Sequence, residues 1–194
     1  MIANLPLVPM TELDAVNAML ISIGEQPVNT LEATDNAEVS IARNILHQVS
    51  RQTQSVGLLC NSEENYPLAV DVDGYIRLPA NTLKVDATDS SIDVVMRGKR
   101  LYDRKNHTYK FKDTLNVDIV FFLPFEELPQ VVRDYITIRA TRVFQSKVVG
   151  SETLYEFTAK DEMDAHMAMV QQEVDHGDYN MLNNPDVQMM LRRS

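Results

Sequence analysis

Glu162 and His166 stand four residues apart, on one face of any helix that contains them, with Asp161 beside them. Two such ligands hold a divalent ion when a third joins them. The chain offers no HExxH and no second histidine pair, and ordinary exposed helix charges account for the same residues. His176 and Asp178 flank Gly177 and read as polar helix-end residues. Asp71-Val72-Asp73-Gly74 resembles the start of a calcium loop. Tyr75 and Ala80 occupy the later ligand positions, and no bidentate glutamate follows, so a β-turn is the better reading. Carboxylate pairs recur (Glu63 and Glu64, Asp86 and Asp89, Glu126 and Glu127), as 28 acidic residues supply by chance. Glycoside hydrolysis needs two at a set separation, one with a raised pKa. The chain has no tryptophan to act as a sugar platform. Cys60 ends an apolar run with no base nearby, which describes a packed thiol. There is no GxSxG elbow, GxGxxG or Walker loop.

The elements that must position these residues follow from periodicity. Thr11 and Asp14 form a capping-box variant. Leu13, Val16, Met19, Leu20 and Ile23 then repeat at helical spacing up to Gly24. A second helix starts near Asp35 or Asn36. Its stripe is Val39, Ala42, Ile45, Leu46 and Val49, and it runs to Val56 before Gly57. From 58 to 123 short β-branched runs alternate with turn residues. Ile92–Met96, Leu101–Tyr102, Tyr109–Phe111 and Val117–Leu123 read as strands, with turns at Asp73-Gly74 and Arg97-Gly98-Lys99. Pro129 sits in the first turn of a third helix that reaches Gly150. Ser151 caps a fourth, with Leu154, Phe157, Ala165, Ala168 and Met169 inward, ending near Gly177. In the tail, Val187, Met190 and Leu191 return to helical spacing beyond Pro185. The expected fold is α+β: a helical bundle (1–57 and 125–177) with an inserted small antiparallel β domain (58–124) and a C-terminal arm (178–194).

A chain of 194 residues with 44% hydrophobic and 24% charged residues is long enough for a real core. No apolar run approaches the ~18 residues that span a bilayer, and MIANLPLVPM lacks the basic start and apolar stretch of a signal peptide. One cysteine excludes an internal disulfide and makes cytosolic assembly the simpler expectation. Net charge is −10, unsuited to coating nucleic acid. It is also uneven. Residues 97–112 carry Arg97, Lys99, Arg100, Arg104, Lys105, Lys110 and Lys112 against Asp103, a local +6, whereas 150–186 carry nine acids against Lys160, a local −8. The basic stretch interleaves Tyr102, His107, Tyr109 and Phe111. That composition suits three things: single-stranded nucleic acid, a solvated hairpin with inward aromatics, or docking to an acidic surface. Unlike patches also favour head-to-tail self-association, which closes into rings when the rotation permits.

Leu13-x-x-Val16-Asn17, then Ile23-Gly24-Glu25-x-Pro27-Val28 and Leu31, resembles the opening of tail tubular protein A of short-tailed bacteriophages. Leu101-Tyr102-Asp103-Arg104, Glu127-Leu128-Pro129 with Arg133, Tyr135 and Ile136, then Arg142 and Phe144, and Gly177-Asp178-Tyr179-Asn180-Met181-Leu182 continue the resemblance in order. Residues 60–100 match least. The resemblance implies a virion protein of the tail, assembled in the host cytoplasm. It implies a dodecameric adaptor or gatekeeper ring between the portal and the nozzle protein, tail tubular protein B, through which phage DNA passes on ejection. No cofactor, catalysis or membrane is implied. On that footing Tyr179, Asn180, Met181, Leu182, Met189, Met190 and Leu191 are the expected portal-docking arm. Arg97, Lys99, Arg100, Arg104 and Lys105 are expected to contact the nozzle or a neighbouring subunit. Asp161, Glu162, Asp164, Glu173 and Asp175 are candidates for an acidic channel wall. The competing readings are a tail-associated glycoside or peptidoglycan hydrolase, and a nucleic-acid-binding protein acting through the 97–112 hairpin.

Overall fold

The computed structural model describes residues 8–32, 36–150 and 152–176, with side chains described from residue 159 onward in the last span. The fold is α+β. Helix α1 (Glu12–Ile21) opens with the capping box that the sequence announces: Thr11 Oγ1 accepts from Asp14 N, and Asp14 accepts from Thr11 N. It closes at Gly24, whose φ of +85° suits a residue without Cβ. Asn17 then pins the following loop, donating to Val28 O and accepting from Val28 N at 2.9 and 2.8 Å. Helix α2 (Ala37–Gln54) is capped by Asn36, which accepts from Glu38 N and Val39 N. Its whole expected stripe is buried.

Five strands follow: β1 (Ser62–Leu68), β2 (Thr82–Ala87), β3 (Val94–Arg97), β4 (Arg100–Asp103) and β5 (Leu115–Phe121). They form a three-stranded antiparallel sheet in the order β1-β5-β2 and a separate β3-β4 hairpin. β1 and β2 escape the sequence reading because Ser-Glu-Glu-Asn and Lys-Val-Asp present little apolar alternation; both are edge strands whose hydrogen bonds go to β5. Tyr109–Phe111 is no strand. It contributes only isolated bridges, such as Lys110 with Tyr75.

A 3-10 turn (Phe125–Glu127) leads to α3 (Gln130–Val148), with Pro129 as its N-cap, one position earlier than expected. α4 (Glu152–His176) packs on α3. Met169 is buried as expected, but Ala168 is exposed, because it lies on the far side of the turn from the α3 contact. The Ser151 cap, the side chains of Leu154 and Phe157, and the arm 178–194 lie outside the described residues.

Two cores result. One gathers the helices around Met19, Leu20, Leu46, Ile136 and Phe144. The other lies within the strands, around Ile76, Leu101, Val117 and Ile119. They meet at a neck built from two buried amides. Gln54 accepts from Leu123 N (2.8 Å) and donates to Leu123 O (3.1 Å) and Ser50 Oγ (3.0 Å). Asn61 accepts from Leu58 N and donates to Gln54 O and Phe121 O. The chain thus enters and leaves the strand region at one clasp.

Candidate functional site

The described groups with catalytic potential are engaged in contacts that hold the fold. The Glu162 carboxylate faces α3, where Arg142 Nη1 donates to it at 2.7 Å and Arg139 Nε lies 3.8 Å away. His166 is exposed, its ring 5.2 Å from that of Tyr135. Among the described residues no three His, Cys, Asp or Glu side chains are grouped to hold a metal. Asp71 makes the expected turn: it accepts from Asp73 N, Tyr75 N and Arg77 Nε, and the Tyr75 amide bond foremost holds its carboxyl below the usual range. The carboxylates whose pKa moves clearly (Glu12, Asp14, Asp71, Asp89 and Asp103) all move down, the opposite of what a general acid needs. Half-burial, then the nearby Glu173, pushes the Cys60 thiol up, away from nucleophilic character.

What the strands do assemble is a ladder of cations and tyrosines. Side chains alternate along a strand, so Val94 and Leu101 enter the core while Val95, Arg97, Arg100 and Tyr102 face the other way. The Arg97 guanidinium lies 3.6 Å from the Tyr102 ring centre. Tyr102 meets Tyr109 edge to face at 4.8 Å. Arg100 lies 4.9 Å from Tyr109 and 5.0 Å from Tyr75, and Lys110 Nζ is 3.8 Å from Tyr75. Lys110 also donates to Asp73 O. The Tyr75, Tyr102 and Tyr109 rings are half-buried beneath exposed cations, whereas Phe111 packs inward against the strand core, as the inward-aromatic reading expected. Arg104 leaves this group for Asp93 at 3.5 Å, and the Lys105 charge adds to the hydrogen bonds that lower the Asp103 and Asp89 carboxyls. Arg97, Lys99, Arg100 and Lys110 meet no carboxylate among the described residues. Tyr75 entered the sequence analysis only as a residue unsuited to a calcium loop, although its place directly after the Asp-Gly turn was the available signal for a ring beside the cations.

The acids of α4 divide. Glu162 is tied to α3, and Glu173 accepts from Leu59 N at 2.7 Å, holding the α2–β1 connection. Asp161, Asp164 and Asp175 are exposed. Beside them runs an apolar stripe the sequence reading did not isolate: Met163, Met167, Val170 and Val174 are 40–66% exposed. Their 4-3-4 spacing marks one face, turned away from buried Met169. Val56 and Leu59 extend it around a cleft of about 550 Å³ that Arg139 and His166 also line. The docking-arm residues Tyr179 to Leu182 and Met189 to Leu191 lie outside the described residues.

The residues that carry the resemblance, where described, hold the fold. Asn17 pins its loop, and Arg133, 8% exposed, donates to Leu128 O and Met10 O. Arg142 joins α3 to α4 and Phe144 fills the core. Charged and apolar faces are thus left exposed among the described residues. A family model described as tail tubular protein matches residues 13–179, and the chain belongs to that family of structural proteins of the bacteriophage tail. Tail tubular protein A of Klebsiella phage KP34 is 29% identical over 164 residues, 84% of this chain and 87% of that relative.

Proposed function

We propose that the chain is the ring-forming adaptor that joins the portal to the nozzle protein, tail tubular protein B, as twelve copies per tail. In this reading the helical halves 1–57 and 125–177 make the ring wall, the unit 58–124 faces the nozzle or a neighbour, and the arm 178–194 reaches the portal. Methionines at 181, 189 and 190 suit a surface that adapts to its partner. DNA passing through the ring must not be held by its phosphates, and exposed Asp161, Asp164 and Asp175 would repel them and keep the duplex centred. Glu162 and Glu173 contribute to such a wall only indirectly, since contacts within the chain occupy both.

The observation that carries this reading is the pairing of family membership with faces that nothing in the described chain covers. The test is cross-linking followed by mass spectrometry on intact particles. Cross-links from residues 179–191 to the portal, and from this chain to the nozzle protein, are expected. Particles in which the chain cross-links to neither would overturn the proposal.

A further inference from the structure

The cation–tyrosine ladder and the outer face of α4 are complementary in charge. Among the described residues the strands pack chiefly on one another and α4 chiefly on α3, so the two surfaces lie on different parts of one chain. The ladder offers Arg97, Lys99, Arg100 and Lys110 without carboxylate partners. Guanidinium groups stacked on tyrosines keep their edges free to donate while their orientation is already fixed, so little freedom is lost on binding. Half-buried Val95, on the same face as the ladder, adds an apolar contact.

α4 supplies the complement. Asp164 and Asp175 lie about 90–110° around the helix from the Met163, Met167, Val170 and Val174 stripe and roughly 16 Å apart along it. Asp161 extends the same flank. No cation among the described residues pairs with any of the three. Both surfaces thus combine unmatched charge with uncovered apolar groups, of opposite sign and similar character. In a protein of net charge −10, the repulsion between copies must be offset at their contacts, and placing the ladder's unpaired cations against Asp161, Asp164 and Asp175 does this.

We infer that the ladder of one copy docks on the acidic, methionine-bearing face of α4 in the next copy, making a head-to-tail contact that propagates around the ring. This inference rests on the ring reading above, names the surfaces that would build it, and assigns Asp161, Asp164 and Asp175 to the contact between copies in place of the channel wall.

The test uses particles assembled with charge-reversed chains supplied in place of the wild type. The ladder variant is Arg97→Glu with Arg100→Glu; the helix variant is Asp164→Lys with Asp175→Lys. Each alone should lower the copies per particle by roughly tenfold or more, because like charges then face each other. Supplied together they should restore incorporation. The reversed ladder then meets the reversed helix, the two native faces meet each other, and the copies alternate around the ring. Circular dichroism melts confirm folding, and Arg97→Gln with Arg100→Gln replaces the ladder variant if the reversal unfolds the hairpin, with partial loss expected. Normal incorporation of either variant alone overturns the contact while leaving the adaptor reading intact. So does a mixture that fails to recover. Loss confined to the ladder variant assigns the ladder to another component, such as the nozzle or nucleic acid, and equally overturns it. Failure of the adaptor reading is separate: it is read from wild-type particles that show no cross-link to portal or nozzle.

Discussion

Replacing Gln54 tests whether the amide clasp, rather than apolar contact, couples the helices to the strands. Gln54 is fully buried and makes three hydrogen bonds of 2.8–3.1 Å, two of them to the main chain of Leu123. A buried polar group left unpaired costs about 1–3 kcal/mol. Leu123 is half-buried, so water reaches part of what is lost and the sum for Gln54→Ala is roughly 2–4 kcal/mol. In a chain of this length that lowers the melting temperature by roughly 4–16 °C. Gln54→Met keeps most of the volume and isolates the hydrogen bonds from the cavity. Urea denaturation gives the free energies, and amide exchange at Leu123 reads the broken bond directly. Expected is a loss for Gln54→Met approaching that of Gln54→Ala, with faster exchange at Leu123. A Gln54→Met protein within about 0.5 kcal/mol of wild type, with the Leu123 amide still protected, would refute the reasoning.

Glu162→Gln removes the carboxylate that Arg142 and Arg139 share; a destabilisation of about 1–2 kcal/mol is expected in urea titration, below that of a fully buried pair because all three side chains reach solvent. Gly57→Ala places a Cβ 3.3 Å from Ser62 Oγ and Val120 Cγ2 at a φ of +90°, and its melting temperature should fall by an amount matching about 1–2 kcal/mol. Partial burial raises the Glu12 pKa, but hydrogen bonds from Arg43 and His47 outweigh it and the net shift is down. Its stabilising contribution is therefore present above the unfolded-state value near 4.5 and is lost as pH falls through the lower folded value. Glu12→Gln should make stability less steep below pH 5 in acid denaturation, and an unchanged slope would contradict the assignment.

How much of this was legible in the sequence depends on where the signal resides. α1 and α2 were readable almost to the residue, because Thr11 and Asn36 cap by local chemistry and the buried stripes repeat in a regular period. β5 was readable because a central strand buries its alternate residues. β1 and β2 were not, since an edge strand is defined by the neighbour it pairs with, and Glu63 and Glu64 face solvent. The 97–112 charges were visible, but the stacking of Arg100 on Tyr75 required a tertiary bridge between Tyr75 and Lys110. Glu162 shows the same limit: a ligand-like spacing with His166 in sequence proved to be a tether to α3, because the deciding partner, Arg142, lies on another helix.

The neck also governs how such a protein diversifies. Ser62 pairs with Val120, so the first and last strands of the inserted unit run side by side where they leave the helices. Everything between them can be lengthened, shortened or exchanged without moving the helical framework, provided that the Gln54 and Asn61 amides survive. Selection acting on contacts made by the insert is thereby separated from selection acting on the framework. A lineage can acquire a new neighbour by rewriting residues 63–119 alone.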